Sequence, residues 1–344
     1  MYSLLRPLLF RLSGEGSHDL TLAALRAGAG RLWPGSVPDA PCEVMGLEFP
    51  NPVGLAAGLD KSGDCIDGLA NLGFGFIEVG TVTPRPQEGN PRPRLFRIPG
   101  ARALVNRMGF NNQGLDYLMR AVEHSHYQGV LGINVGKNYD TPLENALDDY
   151  MTCMEQVHTL ASYVVVNLSS PNTPGLRQLQ HGDMLRALLE PLRRRQTELD
   201  RDGGRKVPLV IKVSPDSTEE ELGLMAGILR EFEVDGVTVG NTTVTRPESV
   251  SGLAHAEEEG GLSGEPLKPL ADRALEVRAE ELEGRIPLIG LGGIMGAEDA
   301  LDKRRLGASL VQVYTGLVYR GPGLVGEIAR AWPRDGAAGQ PEAG

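Results

Sequence analysis

A polar loop at residues 167–177, with the sequence NLSSPNTPGLR, follows the β-branched run at 163–166. The run predicts a buried strand, and the two prolines and the glycine of the loop prevent a helix from starting at once. Asn167, Ser170 and Asn172 are therefore displayed at the carboxyl end of a strand, where parallel α/β proteins usually place their chemistry. The same residues would also suit an ordinary polar turn, in which side chains bond to their own backbone.

Polar residues also occupy the ends of the other predicted strands, and together they indicate one site. They are Lys61, Thr81, Asn134, Asn167, Lys212, Asn241 and Thr242. Lys212 interrupts an apolar run at 209–213, so we expect its side chain to point inward and to need an anion or strong acceptors. Asparagines pair with the carbonyl and N–H edges of a heterocycle, and lysines stabilise negative charge on it.

A glycine-rich stretch at 290–294, with the sequence GLGGI, offers bare backbone amides after the seventh predicted strand. Together with Tyr314 and Thr315 after the eighth, it occupies the usual phosphate position of a barrel. As a dinucleotide fingerprint it is incomplete, because Met295 stands where the last glycine belongs. The strand ends therefore predict a site for a phosphorylated, planar, amide-rich ligand.

Ser170 is the candidate proton acceptor of this site. No histidine or carboxylate stands near it in the sequence, so a catalytic triad is not supported. A serine serves as a proton acceptor if water or a neighbouring hydroxyl, such as that of Thr173, relays the proton.

Apolar strand candidates alternate with helical stretches along most of the chain. The strands are predicted at 53–57, 76–80, 130–135, 163–166, 208–213, 236–239, 286–289 and 310–314. The helices are predicted at 63–71, 112–127, 142–161, 183–200, 218–232, 267–282, 297–305 and 322–332. This alternation favours a closed (β/α)8 TIM barrel. A doubly wound sheet is the alternative, but the residues after the first strand lack its glycine fingerprint.

Segments outside this alternation flank the barrel or interrupt it. Two excursions at 82–106 and 241–266 are predicted to be long loops at the top of the barrel that act as lids. Residues 2–12 and 19–28 predict two N-terminal helices, the second capped within 17–19. The first is amphipathic, and its apolar face either packs on the protein's own body or makes a shallow membrane contact.

The sequence thus predicts three segments. They are an N-terminal helical extension with its linker at 1–40, a barrel at 41–332 and a disordered tail at 333–344.

Composition narrows the possible partners. The net charge of -11 and the pI of about 5.2 argue against a nucleic-acid partner. Cys42, Cys65 and Cys153 are widely spaced without a CxxC pair, and we predict no metal site. No apolar run approaches the roughly 20 residues that span a bilayer.

Five motifs in this chain together resemble those of the dihydroorotate dehydrogenase family. They are AAGLDK at 56–61, NRMGFNN at 106–112, NLSSPNTPG at 167–175, GLSG at 261–264 and QVYTG at 312–316. The resemblance runs in order from the first residues to about Pro322, and it is closest to the membrane-associated, quinone-reducing branch (class 2). In that branch the proton acceptor is serine rather than cysteine, and an N-terminal helical pair forms the mouth of the quinone tunnel.

The resemblance implies FMN as the phosphorylated ligand and (S)-dihydroorotate as the substrate. By this resemblance FMN would be held by Ala57, Gly58, Leu59, Asp60, Lys61, Thr81, Asn134, Asn167, Lys212, Gly240, Gly264, Gly293, Tyr314 and Thr315. The substrate would be held by Lys61, Asn106, Arg107, Met108, Gly109, Phe110, Asn167, Asn172, Asn241 and Thr242. Arg97 and Tyr314 align with positions near the quinone head. Gly240 departs from the family, which usually has threonine or serine there, so a hydroxyl contact to FMN is lost.

The activity implied is oxidation of dihydroorotate to orotate in pyrimidine (UMP) biosynthesis. Ser170 would remove the C5 proton while a hydride passes from C6 to FMN N5, and a membrane quinone, ubiquinone or menaquinone, would reoxidise the flavin. The expected location is peripheral, on the cytoplasmic face of the cell membrane, with contact through the N-terminal helices.

Three other functions remain open from the sequence. The soluble dihydroorotate dehydrogenase branch is disfavoured by Ser170 and by the extra N-terminal helices. A flavin-dependent tRNA reductase would need a basic face, which the net charge of -11 disfavours. A catalytically inactive barrel that serves as a membrane-binding scaffold is the alternative from a different class.

Overall fold

The computed structural model describes residues 2–33 and 37–333, and in this part of the chain eight parallel strands close into a barrel. The barrel strands are β3 (Val53–Leu55), β4 (Phe76–Val82), β7 (Val130–Val135), β8 (Tyr163–Asn167), β9 (Leu209–Val213), β10 (Gly236–Val239), β12 (Leu288–Leu291) and β13 (Ala308–Val313). The last strand pairs with the first through Val311 and Val53, which closes the barrel. The predicted (β/α)8 barrel is confirmed, and closure excludes the doubly wound alternative.

The remaining strands lie outside the barrel wall. They are β1 (Cys42–Val44), β2 (Leu47–Phe49), β5 (Leu95–Ile98), β6 (Ala103–Asn106) and β11 (Gly261–Gly264). β1 and β2 form a hairpin whose Phe49 meets Phe76 of the barrel edge to face, with the ring centroids 5.3 Å apart. These rings belong to an apolar cluster inside the barrel, so the hairpin closes the end opposite the carboxyl ends of the strands.

Helices surround the barrel and follow most of its strands. They are α3 (Ile66–Ala70), α4 (Leu115–His124), α5 (Ala146–Val157), α6 (Gly182–Gly203), α7 (Glu219–Glu231), α8 (Lys268–Leu282), α9 (Ala297–Arg305), α10 (Thr315–Arg320) and α11 (Gly323–Ala331). In α5, Tyr150, Cys153, Met154 and Val157 are buried at three- and four-residue spacing, which is the stripe expected of a helix packed on a sheet. The sequence did not predict α10, which fills the turn between β13 and α11.

Two further helices precede the barrel, α1 (Tyr2–Leu9) and α2 (Gly14–Arg26). The predicted cap at 17–19 is wrong, because α2 begins five residues earlier, where the Ser13 side chain accepts from the Gly16 N–H. The extra turn brings the Glu15 carboxylate to 2.9 Å from the Arg94 guanidinium, and both side chains are nearly buried. Of the helices described, none combines the length and the apolar character needed to cross a bilayer.

The sequence predicts long loops for the two excursions, but both contain β-strands. Their β5, β6 and β11 form an antiparallel sheet in the order β11-β6-β5, and Asn106 pairs with Gly261 across about 150 residues of chain. This small sheet covers the carboxyl ends of the barrel strands. Apart from Pro333, the tail that we expected to be disordered lies outside the described residues.

Candidate active site

A cavity of about 1080 Å³, counting its mouth, lies between the carboxyl ends of the barrel strands and the three-stranded sheet. Most of the residues predicted from the sequence line it. They are Ala57, Gly58, Lys61, Thr81, Asn106, Met108, Gly109, Phe110, Asn167, Ser170, Asn172, Lys212, Asn241, Thr242, Gly264, Gly293, Tyr314 and Thr315. Residues far apart in the sequence therefore meet at one place, as the fold requires for a barrel site.

The loop after β8 brings Ser170 into this cavity. Ser170 is 6% exposed, and its Oγ accepts a hydrogen bond of 3.2 Å from the Asn172 N–H. The Asn172 side chain turns toward the β5–β6 sheet, where its Nδ2 donates to the Asn106 carbonyl at 3.2 Å and to Asn106 Oδ1 at 3.3 Å. The loop and the sheet that covers it are therefore joined at the point where the substrate is expected.

Three strand-end side chains form a buried amide and hydroxyl cluster at the floor of the cavity and just beneath it. The Asn167 Nδ2 donates to Thr81 Oγ1 at 2.9 Å and to Asn134 Oδ1 at 3.1 Å. Thr81 Oγ1 in turn donates to Asn134 Oδ1 at 2.5 Å. Because every donor is matched with an acceptor, the three side chains have one consistent orientation.

Two lysines supply positive charge. Lys61 Nζ donates to the Gly58 carbonyl at 2.7 Å, and burial, assisted by the nearby Arg94 charge, lowers its pKa to about 8. Lys212 is 4% exposed, and burial lowers its pKa while the Glu78 carboxylate acts in the opposite direction. An anionic ligand would favour the charged form of each lysine.

The glycine-rich stretch after β12 leaves its backbone accessible to a ligand. Gly292 and Gly293 have φ values of 96° and 78°, a region that other residues rarely adopt. A Cβ on Gly293 would lie 2.3 Å from the Cβ of Lys268, so a side chain does not fit there. Opposite this stretch, the Ser263 and Thr315 hydroxyls share a hydrogen bond of 2.8 Å.

Several predicted residues do not line the cavity. Asn134 lies beneath its floor, and Leu59 is buried in the core. Asp60 accepts from the backbone N–H groups of Asp64 and Cys65, at 2.9 and 2.8 Å, and so holds the start of α3. Arg107 turns away from the cavity to Glu258, at 3.0 Å.

The two positions expected near a quinone lie in different surroundings. Tyr314 lines the cavity, and burial raises its pKa to about 12. Arg97 is bound to the segment that joins α1 and α2, where it donates to the Leu9 carbonyl at 3.2 Å and lies 4.6 Å from the centre of the Phe10 ring. Arg97 therefore fixes the helical pair to β5.

Gly240 also lies outside the cavity wall. Its φ is 133°, and an added Cβ would lie 2.9 Å from the Leu291 carbonyl oxygen. The local backbone conformation therefore favours glycine at this position, where the family resemblance leads us to expect threonine or serine.

Sequence reasoning gave no role to Glu78, Ser263 or Gln312. Glu78 is fully buried in β4, and Gln312 Nε2 donates to its carboxylate at 2.5 Å. The signal was present, because Glu78 interrupts an apolar strand in the same way as Lys212 does. Ser263 and Gln312 lie in the GLSG and QVYTG motifs, whose pattern alone does not indicate which side chains face the cavity.

The site has polar atoms that no protein group satisfies. Among the buried side-chain atoms described, Thr242 Oγ1 and Gln312 Oε1 have no hydrogen-bond partner, and both residues line the cavity. Because an unpaired buried polar atom is costly, these atoms indicate that the cavity takes a ligand with matching donors or acceptors.

The closed barrel and its polar cavity define a (β/α)8-barrel protein with its ligand site at the carboxyl ends of the strands. The family model described as dihydroorotate dehydrogenase matches residues 40–334. The chain therefore belongs to the dihydroorotate dehydrogenase family.

Individual relatives agree over nearly the whole chain. A dihydroorotate dehydrogenase (quinone) of Azotobacter vinelandii is 58% identical over 339 residues, which cover 96% of each chain. One of Ectopseudomonas mendocina is 56% identical over 339 residues, 96% of this chain and 98% of that one. The crystal structure of DHODH in complex with ferulenol from Eimeria tenella superposes with a TM-score of 0.87 at 36% identity, covering 95% of this chain and 93% of that one.

Proposed function

We propose that this protein oxidises (S)-dihydroorotate to orotate, with a membrane quinone as the electron acceptor, in pyrimidine (UMP) biosynthesis. One observation carries the proposal. Ser170, Lys61, Lys212 and the amides of Asn106 and Asn172 all meet around a single cavity that also contains the Gly292–Gly293 backbone. The similarity to the bacterial relatives named dihydroorotate dehydrogenase (quinone) supports it.

FMN is the cofactor that suits the donor set of the cavity. The backbone of Gly292 and Gly293, which lines the cavity, suits a phosphate, and the buried ammonium of Lys212 suits the electron-rich edge of a flavin ring. Asn167, Thr81 and Gln312 offer amide and hydroxyl groups to its polar edge. When bound, FMN supplies the chemistry that takes a hydride from carbon and passes electrons on to a quinone.

The substrate would lie between the Ser170 loop and the covering sheet. Lys61 is suited to its carboxylate, because its ammonium lines the cavity. The unpaired Thr242 Oγ1 and the amides of Asn106, Asn172 and Asn241 suit the ring edges. Phe110 and Met108 add apolar surface that excludes water from the reacting carbons.

Ser170 would take the proton from C5 of dihydroorotate. The Asn172 N–H points at Ser170 Oγ from 3.2 Å, so it stabilises negative charge on the oxygen as the hydroxyl gives up its own proton. The buried Thr173, three residues further along the same loop, is the neighbouring hydroxyl suited to relay that proton. A serine without a histidine or carboxylate partner then functions through a hydroxyl or water relay.

The N-terminal helical extension at 1–40 would admit the quinone and hold the protein peripherally on the cytoplasmic face of the membrane. Leu4, Leu5 and Leu8 on α1 are 78%, 48% and 59% exposed, which is unusual for large apolar side chains that lie together. α1 is tied to the barrel by Arg6, whose Nη1 donates to the Tyr319 carbonyl at 2.8 Å. The exposed face therefore points away from the barrel and suits a lipid surface.

The test is a visible spectrum of the purified protein, followed by anaerobic addition of dihydroorotate. We expect a flavin absorbance band that is bleached by dihydroorotate with formation of orotate, and recovery of the band on addition of a quinone. Protein without a flavin band would overturn both the cofactor and the activity. Faster recovery with fumarate or NAD than with ubiquinone or menaquinone would instead assign the chain to the soluble branch.

A further inference from the structure

Glu78 is a buried carboxylate in the interior of the barrel, and only donors contact it. Its side chain is fully buried in the middle of β4. Asn134 Nδ2 donates to Oε1 at 2.8 Å, and Gln312 Nε2 donates to Oε2 at 2.5 Å. The Tyr163 hydroxyl donates to Oε2 at 3.3 Å. In all three contacts the Glu78 carboxylate is the acceptor, and both of its oxygens are used.

This arrangement orients the amide of Asn134. Its NH₂ group must face the carboxylate, so its carbonyl oxygen must face the cavity floor. There Asn134 Oδ1 accepts from Thr81 Oγ1 and from Asn167 Nδ2. The reversed amide would place an oxygen against the carboxylate and an NH₂ group against another NH₂ group.

The orientation is passed on toward the mouth of the cavity. Because Asn167 uses its Nδ2 for Thr81 and Asn134, its Oδ1 is left to accept from Ser169 Oγ at 3.0 Å and from the Ser169 N–H at 3.2 Å. Ser169 Oγ, having donated its proton, accepts from Asn241 Nδ2 at 2.8 Å. Asn241 Oδ1 then accepts from the Thr242 N–H at 2.8 Å. Each of these hydrogen bonds forms only if the amide groups keep the orientation described here.

We propose that Glu78 is a positioning residue that sets the orientation of the amides in this chain of hydrogen bonds. It thereby determines which edge of the Asn167 and Asn241 amides faces the ligand. The inference deepens the proposed function and rests on it, because the chain ends in the cavity assigned to dihydroorotate. Glu78 itself lies below the cavity and acts through Asn134 and Gln312. The same carboxylate orients Gln312, whose Oε1 is left without a protein partner at the cavity wall.

Glu78→Gln tests the proposal with a side chain of nearly the same shape. A glutamine offers one acceptor oxygen where the carboxylate offers two, so its NH₂ group must face the amide of either Asn134 or Gln312, and that amide turns or loses its bond. We expect the dissociation constant of orotate, measured from the change in the flavin spectrum, to rise about tenfold or more. The KM for dihydroorotate should rise with it. Tyr163→Phe is the matched control, because it removes a donor to Glu78 outside the chain and should leave orotate binding unchanged.

A double variant that exchanges the carboxylate and the amide separates the effect of amide orientation from a loss of folding stability. In Glu78→Gln/Asn134→Asp the introduced glutamine amide donates to the new carboxylate, whose second oxygen accepts from Thr81 and Asn167 as before. The net charge and the orientation of the amides are both restored, so orotate affinity should recover to within about threefold of the wild type. A folded double variant that binds orotate about tenfold or more weakly than the wild type would overturn the proposal, even if the single variant does not fold.

Two other results would test the role of Glu78 and the proposed substrate separately. A folded Glu78→Gln protein with wild-type orotate affinity would show that the orientation of the amides does not depend on Glu78. A wild-type protein that contains flavin but does not bind orotate would overturn the proposed substrate instead, so failure of the function and failure of this inference are distinguishable.

Discussion

The guanidinium of Arg177 donates from Nη1 to Asp216 Oδ2 at 2.7 Å, and this ion pair joins the Ser170 loop to the loop after β9. The same guanidinium donates from Nε to the Ser169 carbonyl at 3.2 Å and from Nη2 to the Thr242 carbonyl at 3.0 Å. Three loops are thus held by one planar side chain, which contacts Ser169, the residue next to Ser170. The Arg177–Asp216 pair fixes the position of Ser170 relative to Asn241 and Thr242.

Arg177→Lys should therefore slow the reaction without removing any group that contacts substrate. Lysine keeps the charge but lacks the fork that reaches three acceptors at once. Because misplacement of a reacting group by about 1 Å can cost about 100-fold in rate, we expect flavin reduction by dihydroorotate to slow by about 10- to 100-fold. Stopped-flow absorbance measures this step directly.

Arg186→Lys is the control for this prediction. Arg186 pairs with Glu231 on the surface, where both side chains are largely exposed, and such pairs contribute little. Equal rates in the Arg177→Lys protein and in the control would show that the loop holds its position without the fork.

Ser170→Ala should nearly abolish flavin reduction while the flavin remains bound. A positioned general base contributes about 10²- to 10⁴-fold, and we expect a loss in this range. Ser170→Cys supplies a thiol with an ordinary pKa of about 8.5, so its activity should be partly restored and should increase as the pH is raised toward that value. Loss of the flavin band from the alanine variant would indicate that Ser170 is structural.

The barrel was predictable because its signals are local. Each strand is a short apolar run and each helix carries its own stripe, so alternation along the chain was enough to give the closed fold. The antiparallel sheet was not predictable in this way, because Asn106 pairs with Gly261 and no local pattern specifies so distant a partner. The start of α2 was also decided by tertiary contact, since Ser13, Ser17 and Asp19 are all suitable caps and the Glu15–Arg94 ion pair favours the earliest one.

The same distinction between local signals and distant contacts applies to the candidate site. Residue types and strand ends predicted the side chains that line the cavity, Ser170 and Lys212 among them. Residue types and strand ends did not predict the groups beneath the cavity. Glu78 acts by hydrogen bonding to Asn134 and Gln312, which lie on other strands. Nor did they show that Arg107, inside a substrate motif, is directed to Glu258.

Lys61 should make ligand binding depend on pH. Burial lowers the pKa of Lys61 to about 8, so in the free protein its ammonium is charged below that pH and neutral above it. The charged form is the one that pairs with a carboxylate, so the dissociation constant of orotate should be constant below about pH 7 and should rise above about pH 8. A titration of the flavin spectrum at each pH measures it.

Lys61→Arg isolates this effect, because a guanidinium remains charged throughout this range. The variant should lose the rise in the dissociation constant above about pH 8, whatever its affinity at neutral pH. An unchanged pH profile would mean that another group titrates in the cavity.

The exposed leucines of α1 should control binding to lipid. In a Leu4→Glu/Leu8→Glu protein two apolar side chains, 78% and 59% exposed, are replaced by charges that oppose insertion between lipids. We expect co-sedimentation with phosphatidylethanolamine–phosphatidylglycerol vesicles to be largely lost, and turnover with a long-chain quinone in those vesicles to fall. Flavin reduction by dihydroorotate should be unaffected, since neither leucine is buried.

Leu224→Glu is the matched control, because Leu224 on α7 is 64% exposed but lies on the outside of the barrel. It should bind vesicles as the wild type does. If both proteins lose vesicle binding equally, the effect is one of net charge and the α1 face is not the contact.

Gly240→Thr should destabilise the protein rather than strengthen cofactor binding. The family resemblance leads us to expect threonine or serine at this position, but here φ is 133° and a Cβ would lie 2.9 Å from the Leu291 carbonyl oxygen. A β-branched residue adopts such a φ only with strain of about 1–3 kcal/mol, to which the contact adds. We expect a lower midpoint of thermal unfolding and no gain in FMN affinity, measured by fluorescence titration of the apoprotein. Tighter FMN binding at an unchanged midpoint would show that the backbone after β10 adjusts and that the missing hydroxyl had weakened the cofactor site.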